Sequence, residues 1–265
     1  MHDKGVVAMK VEEVMTKNPI FSRDKDFMTH ARSVMRDRNK RTLPVVDNEN
    51  RVIGVLNEKD LLNIFSTKSN VTVEGFASEF PTVYPDMDMM WAAKLMIDAR
   101  LGRVPVLKSG QDKTLVGILS MVDIFRNLNL NKIPKKKIGE IMTKDVKTFS
   151  PKDNVAKVWL NMKETGFSGY PVVHGDQLLG MVTRRNIIRA GYARIEKEDE
   201  HGTKSTMSPH IEKIMSTPVY TVSPEASLKE AIQAFLKLDV GRLSVVNDGK
   251  LVGIVDRNDI IKALI

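Results

Sequence analysis

The chain of 265 residues contains no cysteine, which excludes disulfides, thiolate zinc sites and cysteine nucleophiles together. Aromatic residues are scarce, at 6%, and no apolar run approaches the roughly 20 residues that a membrane-spanning helix needs. The first residues also lack an apolar segment of signal-peptide length. These absences predict a cytoplasmic protein with no membrane segment.

The sequence also lacks the common motifs of enzymes. There is no Gly-x-x-x-x-Gly-Lys-Ser/Thr phosphate loop and no dinucleotide-binding glycine fingerprint. The five histidines, at positions 2, 30, 174, 201 and 210, do not have the paired spacing of metal ligands. We therefore predict no catalytic residue, no metal site and no cofactor, and a protein that is not an enzyme.

Acidic residues are outnumbered by basic ones, which gives a net charge of +8. Basic chains bind nucleic acid, acidic lipid or anionic small molecules such as nucleotides. Part of the excess is local, at Lys132, Lys135, Lys136 and Lys137, so the charge does not form one continuous stripe. A solvated basic surface is the simplest interpretation, and nucleic-acid binding stays open as an alternative.

What the chain does contain is one pattern written four times. Two apolar residues, a glycine, two more apolar residues, a polar residue and two variable residues lead to Asp or Asn. The copies span 52–60, 115–123, 178–186 and 251–259, and their glycines are 63, 63 and 73 residues apart. The apolar run predicts a buried strand, and the Asp or Asn begins the helix that follows.

Each copy is preceded by further elements in a constant order. An opening Met-Thr or Met-Ser leads to a short β-like run in three copies, and Ala77 replaces the Met in the second. An amphipathic helix and a strand then follow, with the strands predicted at 43–46, 104–107, 170–173 and 243–246. Each unit therefore has the order β-α-β-β-α and is too small to bury its sheet alone, which predicts an α+β fold of paired units.

In copy number, motif order and spacing, the chain resembles proteins built from CBS (cystathionine β-synthase) repeats. Their tandem pairs are called Bateman modules. The resemblance implies repeats at 8–69, 70–130, 136–194 and 209–265, paired into modules 8–130 and 136–265. A polar linker at 129–137 separates the modules, and a charged insertion at 196–208 accounts for the longer last spacing. The resemblance also implies that the modules pack together, within one chain or in a homodimer.

CBS pairs hold adenosine-containing ligands in the clefts between repeats, and the motif's acidic residue contacts the ribose hydroxyls. By resemblance, the ribose-binding positions here are Asp60, Asp123, Asn186 and Asp259. The hydroxyl position before them is matched only by Ser120 and Thr183, while Asn57 and Asp256 depart from it. Asp256 would repel a phosphate. A structural interpretation also stays open, in which the glycines permit tight strand geometry and the Asp residues only cap helices.

The remaining ligand contacts are likewise implied by the resemblance. Arginines suit phosphate oxygens, and those near the motifs are Arg41, Arg103, Arg184, Arg242 and Arg257. Backbone contacts to adenine would come from the opening strands, at Ile20, Phe21, Thr82, Val83, Thr148, Thr221 and Val222. Two clefts match the ligand-binding pattern best. One contains Ser120, Asp123 and Arg103, and the other contains Thr183, Asn186, Arg184 and Thr221.

The sequence therefore predicts a regulatory protein that senses AMP, ADP or ATP and reports its occupancy to an unidentified protein partner. S-adenosylmethionine or another adenosine derivative is the first alternative, favoured if the cleft of Asp256 is the occupied one. Nucleic-acid binding through the basic surface is the second.

Overall fold

The computed structural model describes residues 9–63, 70–190 and 208–265. Nearly all of the predicted insertion at 196–208 and the predicted repeat bounds at residues 8, 69 and 194 lie outside these ranges. Within them, no helix combines the length and apolar character that a bilayer crossing requires. Eleven strands and nine α-helices alternate along this part of the chain, and three 3₁₀ turns lie between them.

Four antiparallel hairpins form the centre of the fold, one in each repeat. Their strands are β3 (Thr42–Val46) with β4 (Val52–Asn57), β5 (Arg103–Leu107) with β6 (Leu115–Ser120), β7 (Gly169–His174) with β8 (Gln177–Thr183), and β10 (Arg242–Asn247) with β11 (Lys250–Asp256). Each hairpin has a register shift at the same place, near its turn. The predicted two-strand unit is confirmed in all four copies.

Helices flank each hairpin. The helix before the first strand is α2 (Met28–Asp37), α3 (Met89–Asp98), α6 (Val155–Thr165) and α8 (Leu228–Leu238). The helix after the motif is α4 (Met121–Arg126), α7 (Arg184–Arg189) and α9 (Arg257–Leu264). In the first repeat this position begins as a 3₁₀ turn, Asp60–Asn63, and the residues that follow lie outside the described ranges. The fold is α+β, as predicted.

The segment that opens each repeat crosses to the sheet of its paired repeat. The short helices α1 (Val11–Val14) and α5 (Ile138–Ile141) begin the modules, and β1 (Thr16–Lys17) then pairs with β6 of the second repeat. Equivalent bridges join Ser78 to Val55, Thr143 to Ile254 and Ser216 to Met181. Repeats 1 and 2 are therefore interlocked, and so are repeats 3 and 4.

After crossing, the chain returns to its own sheet. The strands β2 (Ser22–Arg23) and β9 (Thr221–Val222) lie parallel to β3 and β10. A single pairing, Gln177 with Lys250, joins the hairpins of repeats 3 and 4 into one five-stranded sheet. A bridge between Arg51 and Thr114 makes the corresponding link in the first module. Each module is thus connected along its hairpins as well as through its openings.

The two modules meet through repeats 2 and 4. The helices α3, α4, α8 and α9 share one apolar core, whereas repeats 1 and 3 have separate cores of their own. At the junction, the rings of Phe125 and Phe235 lie edge to face with centroids 5.9 Å apart. The expected packing of module on module therefore forms within one chain.

Candidate functional site

The glycine of each motif makes room for the opening segment of the paired repeat. A Cβ built on Gly117 would lie 2.5 Å from Sδ of Met15, and one on Gly253 would lie 2.4 Å from Sδ of Met142. In the first repeat the neighbour of Gly54 is Cβ of Ala77, the residue that replaces Met in the second opening. These glycines are needed for close approach between repeats rather than for positive φ.

The second motif forms a complete capping box at the end of β6. Asp123 Oδ2 accepts hydrogen bonds from the backbone amide of Ser120 at 2.9 Å and from its Oγ at 2.6 Å. The Ser120 hydroxyl in turn accepts from the backbone amide of Asp123 at 3.3 Å. The other carboxylate oxygen, Oδ1 of Asp123, makes no hydrogen bond to any described residue. The carboxylate therefore caps α4 with one oxygen and keeps the other available for a ligand.

The third motif has the same box with an amide. Asn186 Oδ1 accepts from the backbone amide of Thr183 at 2.8 Å, and Asn186 Nδ2 donates to Ser216 Oγ at 3.1 Å. Ser216 belongs to the opening segment of repeat 4, so this bond spans the cleft between repeats 3 and 4. With a carboxylate at this position the Ser216 hydroxyl would have to donate the bond instead of accepting it.

The first motif has the most buried residue at the Asp or Asn position. Asp60 is 8% exposed and accepts a hydrogen bond from the backbone amide of Asn57 at 2.7 Å. Burial raises the pKa of Asp60, because the charged form loses hydration. The side-chain oxygen Oδ1 of Asn57 accepts from Thr42 Oγ1 across the hairpin, at 2.9 Å.

The fourth motif places two carboxylates together. Asp256 caps α9 through the backbone amides of Asn258 and Asp259, and Asp259 Oδ2 accepts from the backbone amide of Asp256 at 2.9 Å. Burial, and then the charge of Asp256, raise the pKa of Asp259 to about 6. The predicted excess of negative charge in this motif is present in the structure.

We expect this pair to make the chain less stable as the pH rises from about 4 to above 6. The pKa of Asp259 lies above its ordinary 3.8, so its stabilising contribution is complete below that value and disappears as the pH rises through about 6. The shift corresponds to at most about 3 kcal/mol. Asp259→Asn should remove this dependence, because an amide makes the same cap in the third motif. Urea unfolding across that pH range measures it.

The exposed Asp248→Asn serves as the control for Asp259→Asn, since Asp248 lies in a hairpin turn outside the motif. Its unfolding free energy should follow the wild-type pH dependence. If Asp259→Asn also retained the wild-type dependence, Asp259 would not be the group responsible.

Arginines from all four repeats surround the motifs. Burial lowers the pKa of five of them, which are Arg103, Arg184, Arg185, Arg242 and Arg257. The nearby charge of Arg41 lowers it further in all of these except Arg184, and the pKa of Arg257 falls to about 10. Glu58 is the one carboxylate that attracts all three of Arg103, Arg184 and Arg185. The cluster therefore combines partial burial with an excess of positive charge, an environment that favours an anion.

The arginines that are predicted to contact phosphate differ in how many hydrogen bonds they already make within the protein. Arg242 reaches into repeat 3, where it donates to Gly169 O at 2.8 Å and to Ser168 Oγ. A Cβ on Gly169 would lie 2.7 Å from Arg242 Nη1, so the glycine admits the guanidinium. Arg103, in contrast, makes no hydrogen bond or ion pair with any described residue. It faces Ser120 across the hairpin.

Arg184 and Arg257 each lie against the carboxyl end of a helix. Arg184 Nη2 donates to Gly166 O and Phe167 O, just beyond α6, and Arg257 Nη2 donates to Phe235 O in α8. A cation is stabilised there by the helix dipole. The Nε atoms of both side chains are buried without a partner among the described residues.

The predicted adenine-lining segments lie beside the hairpins, between paired repeats. Ile20 and Phe21 are 38% and 39% exposed, and Thr82 and Thr221 are also exposed. Thr148 and Val222 are half-buried. The side chain of Val83 is fully enclosed in the core of repeat 2, and its carbonyl accepts from the amide of Leu107. The side chain of Val83 therefore belongs to the core, and its carbonyl oxygen is already used within repeat 2.

Comparison with known proteins identifies the repeats. A family model described as CBS domain matches residues 11–67, 73–130, 138–193 and 211–265. The chain belongs to the CBS domain family. An uncharacterised 33.4 kDa protein in a ribosomal RNA operon of Thermofilum pendens is 26% identical over 252 residues, which are 86% of this chain and 82% of the relative. A Methanocaldococcus jannaschii protein is 27% identical over 260 residues, or 95% of this chain and 61% of that one.

A solved structure shares the whole CBS arrangement. A protein of Methanocaldococcus jannaschii, proposed to be an archaeal homologue of γ-AMPK, superposes with a TM-score of 0.82 at 21% identity. The match covers 97% of this chain and 100% of that one. At this identity the likeness establishes the fold. The four predicted CBS repeats are therefore confirmed, whereas their bounds at 8–69, 70–130, 136–194 and 209–265 stay predictions.

Two features of the CBS clefts were not predicted from the sequence. Glu58 and Arg185 join the arginine cluster from positions one and two after the cap residues Asn57 and Thr183, which the motif leaves variable. The pairing of Arg242 with Ser168 and Gly169 was also missed, although a glycine opposite Thr183 was a visible signal for a close approach. Among the described residues, no group of His, Asp and Glu side chains is placed to hold a metal ion.

Proposed function

We propose that the chain is a non-enzymatic regulatory protein that binds adenosine-containing small molecules in the clefts between its paired CBS repeats. The observation that carries the proposal is Arg103. This arginine is partly buried, makes no hydrogen bond or ion pair with any described residue, and faces the Ser120–Asp123 cap, where Oδ1 of the aspartate is also unused. A guanidinium and a carboxylate that are both available at one hairpin end suit the phosphate and the ribose of a nucleotide.

The four clefts differ in the ligand that they suit. The arginine cluster around Arg103 favours a phosphorylated ligand such as AMP, ADP or ATP. At the fourth motif, the paired carboxylates Asp256 and Asp259 disfavour a phosphate and favour a neutral or cationic adenosine derivative, such as S-adenosylmethionine. This acidic pair is the specific observation that supports a second ligand class.

The regulatory step follows from the interlocked openings. Because each opening segment lies on the sheet of the other repeat, a ligand in the cleft contacts both members of a pair. The bond from Asn186 to Ser216 is one existing link that such a ligand would reinforce or replace. A ligand changes the population of only those states that it binds with different affinity, so the proposed signal is a change in the angle between repeats or modules, read by a protein partner.

The test begins with the thermal stability of ligand-free protein in AMP, ADP, ATP and S-adenosylmethionine. A ligand present at about 100 times its Kd stabilises the native state by about 2.7 kcal/mol, so binding is visible as a raised Tm. No shift with any of the four would contradict the proposal. Retention of RNA or DNA that nucleotides do not compete away would favour nucleic-acid binding instead.

We further expect Arg103→Gln to weaken AMP binding about 10- to 100-fold, because one charge-assisted contact to phosphate contributes roughly 1.5–3 kcal/mol. Adenosine, which has no phosphate, should bind both proteins equally. Calorimetric titration of each ligand separates the two effects. Asp123→Ala and Asn186→Ala should each remove one site from the measured stoichiometry.

Arg126→Gln is the matched control, since Arg126 is an exposed arginine on α4, close to the same motif. It should leave both affinities unchanged. An equal loss of AMP and adenosine binding in Arg103→Gln would mean that Arg103 supports the cleft without contacting phosphate. Unchanged stoichiometry in both Asp123→Ala and Asn186→Ala would refute the ranking of the clefts.

A further inference from the structure

The modules meet at two places, between repeats 2 and 4 and between repeats 1 and 3. Equivalent positions of the repeats carry apolar residues at the first place and mostly basic residues at the second. Counted from Pro44, Pro105, Pro171 and Ser244, the residues four and eight places earlier occupy equivalent positions in the four repeats. In repeats 2 and 4 these residues are apolar and pack against the shared core: Leu101, Ile97, Val240 and Leu236. In repeats 1 and 3 they are Lys40, Arg36, Phe167 and Lys163. One side of the module junction is therefore closed by an apolar core, and the other is polar.

A cavity lies on this polar side, between repeats 1 and 3. Phe125 and Ile261, on the closing helices of repeats 2 and 4, are fully buried, whereas the equivalent Ile188 in repeat 3 is only half-buried. The gap is a shallow, partly open pocket with Leu61 and Ile188 among its apolar lining. We call it the 1–3 pocket.

Basic side chains dominate the rim of the 1–3 pocket. Repeat 1 contributes Arg36 and Lys40, repeat 3 contributes Arg185 and Arg189, and Glu58 is the one carboxylate in the lining. Glu58 and Arg185 are 4.0 Å apart, the limit of an ion pair. Arg189 donates only to a neutral group, Oδ1 of Asn39, at 3.2 Å. Arg36 Nε is paired with Asp37 Oδ1 at 2.8 Å. Lys40 has no ion pair within the described part of the chain, so Lys40 and Arg189 leave the pocket with an excess of positive charge.

We propose that the 1–3 pocket binds a small anion carrying one or two phosphate groups. The pocket adjoins the arginine cluster of the clefts through Glu58 and Arg185, and adds Arg36, Lys40 and Arg189, which the clefts do not use. The pocket is shallow and open to solvent, so it cannot enclose a whole nucleotide as a ligand site does, whereas a small anion can lie against its basic rim. Its cations come from both modules, so a bound anion bridges Arg36 and Lys40 to Arg185 and Arg189. This gives the polar side of the junction the cohesion that the apolar core provides on the other side.

The test is calorimetric titration of the full chain with inorganic phosphate and with inorganic pyrophosphate, at constant ionic strength. The double variant Lys40→Gln, Arg189→Gln should weaken pyrophosphate binding about tenfold or more, because two charge-assisted contacts are lost. The matched control is Arg126→Gln, Lys262→Gln, which removes two exposed cations from the helix positions equivalent to Arg189 in repeats 2 and 4. This control should bind pyrophosphate as the wild type does.

Two outcomes would overturn the proposal. An equal loss in the control variant would show that pyrophosphate responds only to surface charge. A loss confined to Arg103→Gln would place the anion in the cleft instead. The Tm shifts with the adenosine ligands should be unchanged in Lys40→Gln, Arg189→Gln, so this test and the test of the proposed function fail independently. Competition by AMP that depends on Arg189 would identify a nucleotide as the phosphate source, and its absence would identify the free anion.

Discussion

Phe235→Ala is expected to lower the free energy of unfolding by about 3–5 kcal/mol, the cost of removing a fully buried aromatic side chain and leaving a cavity. Phe235 is 0% exposed and lies at the junction of repeats 2 and 4, where its ring meets that of Phe125. For a chain of this size the loss corresponds to a fall in Tm of roughly 10 °C. Urea and thermal unfolding of the purified variant measure it.

The position of Phe235 makes this substitution informative about assembly as well as stability. Because the same core joins both modules, Phe235→Ala should also increase protease cleavage in the linker at 129–137, as the modules separate more often. Leu160→Ala is the control, since Leu160 is a large apolar side chain that is 55% exposed, and it should change stability by less than about 0.5 kcal/mol. A loss below about 1 kcal/mol in Phe235→Ala would show that repeats 2 and 4 do not share a core.

The repeat unit was predictable because every copy has the same local sequence pattern. An apolar run around a glycine, followed by Asp or Asn, predicts a strand that ends at a helix cap. Four copies with the same spacing make this prediction more certain than a single copy would. The crossing of the openings was not predictable in this way. Only the structure shows that Gly117 meets Met15 and that Gly54 meets Ala77, because these residues are distant in sequence.

The candidate site was also predictable only in part, where its residues belong to the repeated motif. The motif alone predicts the ribose positions such as Asp123. The structure shows one oxygen of Asp123 capping the helix and the other unused, and ribose binding stays a prediction. Whether each arginine is already hydrogen-bonded depends on contacts between repeats, which the sequence does not show. Arg242 donates to the carbonyl of Gly169, whereas Arg103 makes no hydrogen bond or ion pair with any described residue, although the two occupy equivalent motif positions.

Gly180→Val should separate repeats 3 and 4, at a cost of about 3 kcal/mol or more. A Cβ on Gly180 would lie 2.8 Å from the backbone carbonyl oxygen of Ser216, which cannot move aside as a flexible side chain can. The opening segment of repeat 4 would be displaced, and with it the bond from Asn186 to Ser216. We therefore expect loss of ligand binding in the cleft between repeats 3 and 4, measured by calorimetry, together with a lower Tm.

The control for Gly180→Val is Gly102→Val, because a Cβ on Gly102 meets no atom within 4 Å. Both substitutions remove a glycine without positive φ, so they lose the same conformational freedom and differ only in the space around the new side chain. Equal stability of the two variants would mean that the opening segment does not press on the strand of its paired repeat. If Gly180→Val lost stability but kept its cleft ligand, interlocking and ligand binding would be separate functions of the motif, since the glycine would serve assembly while Asn186 alone served the ligand.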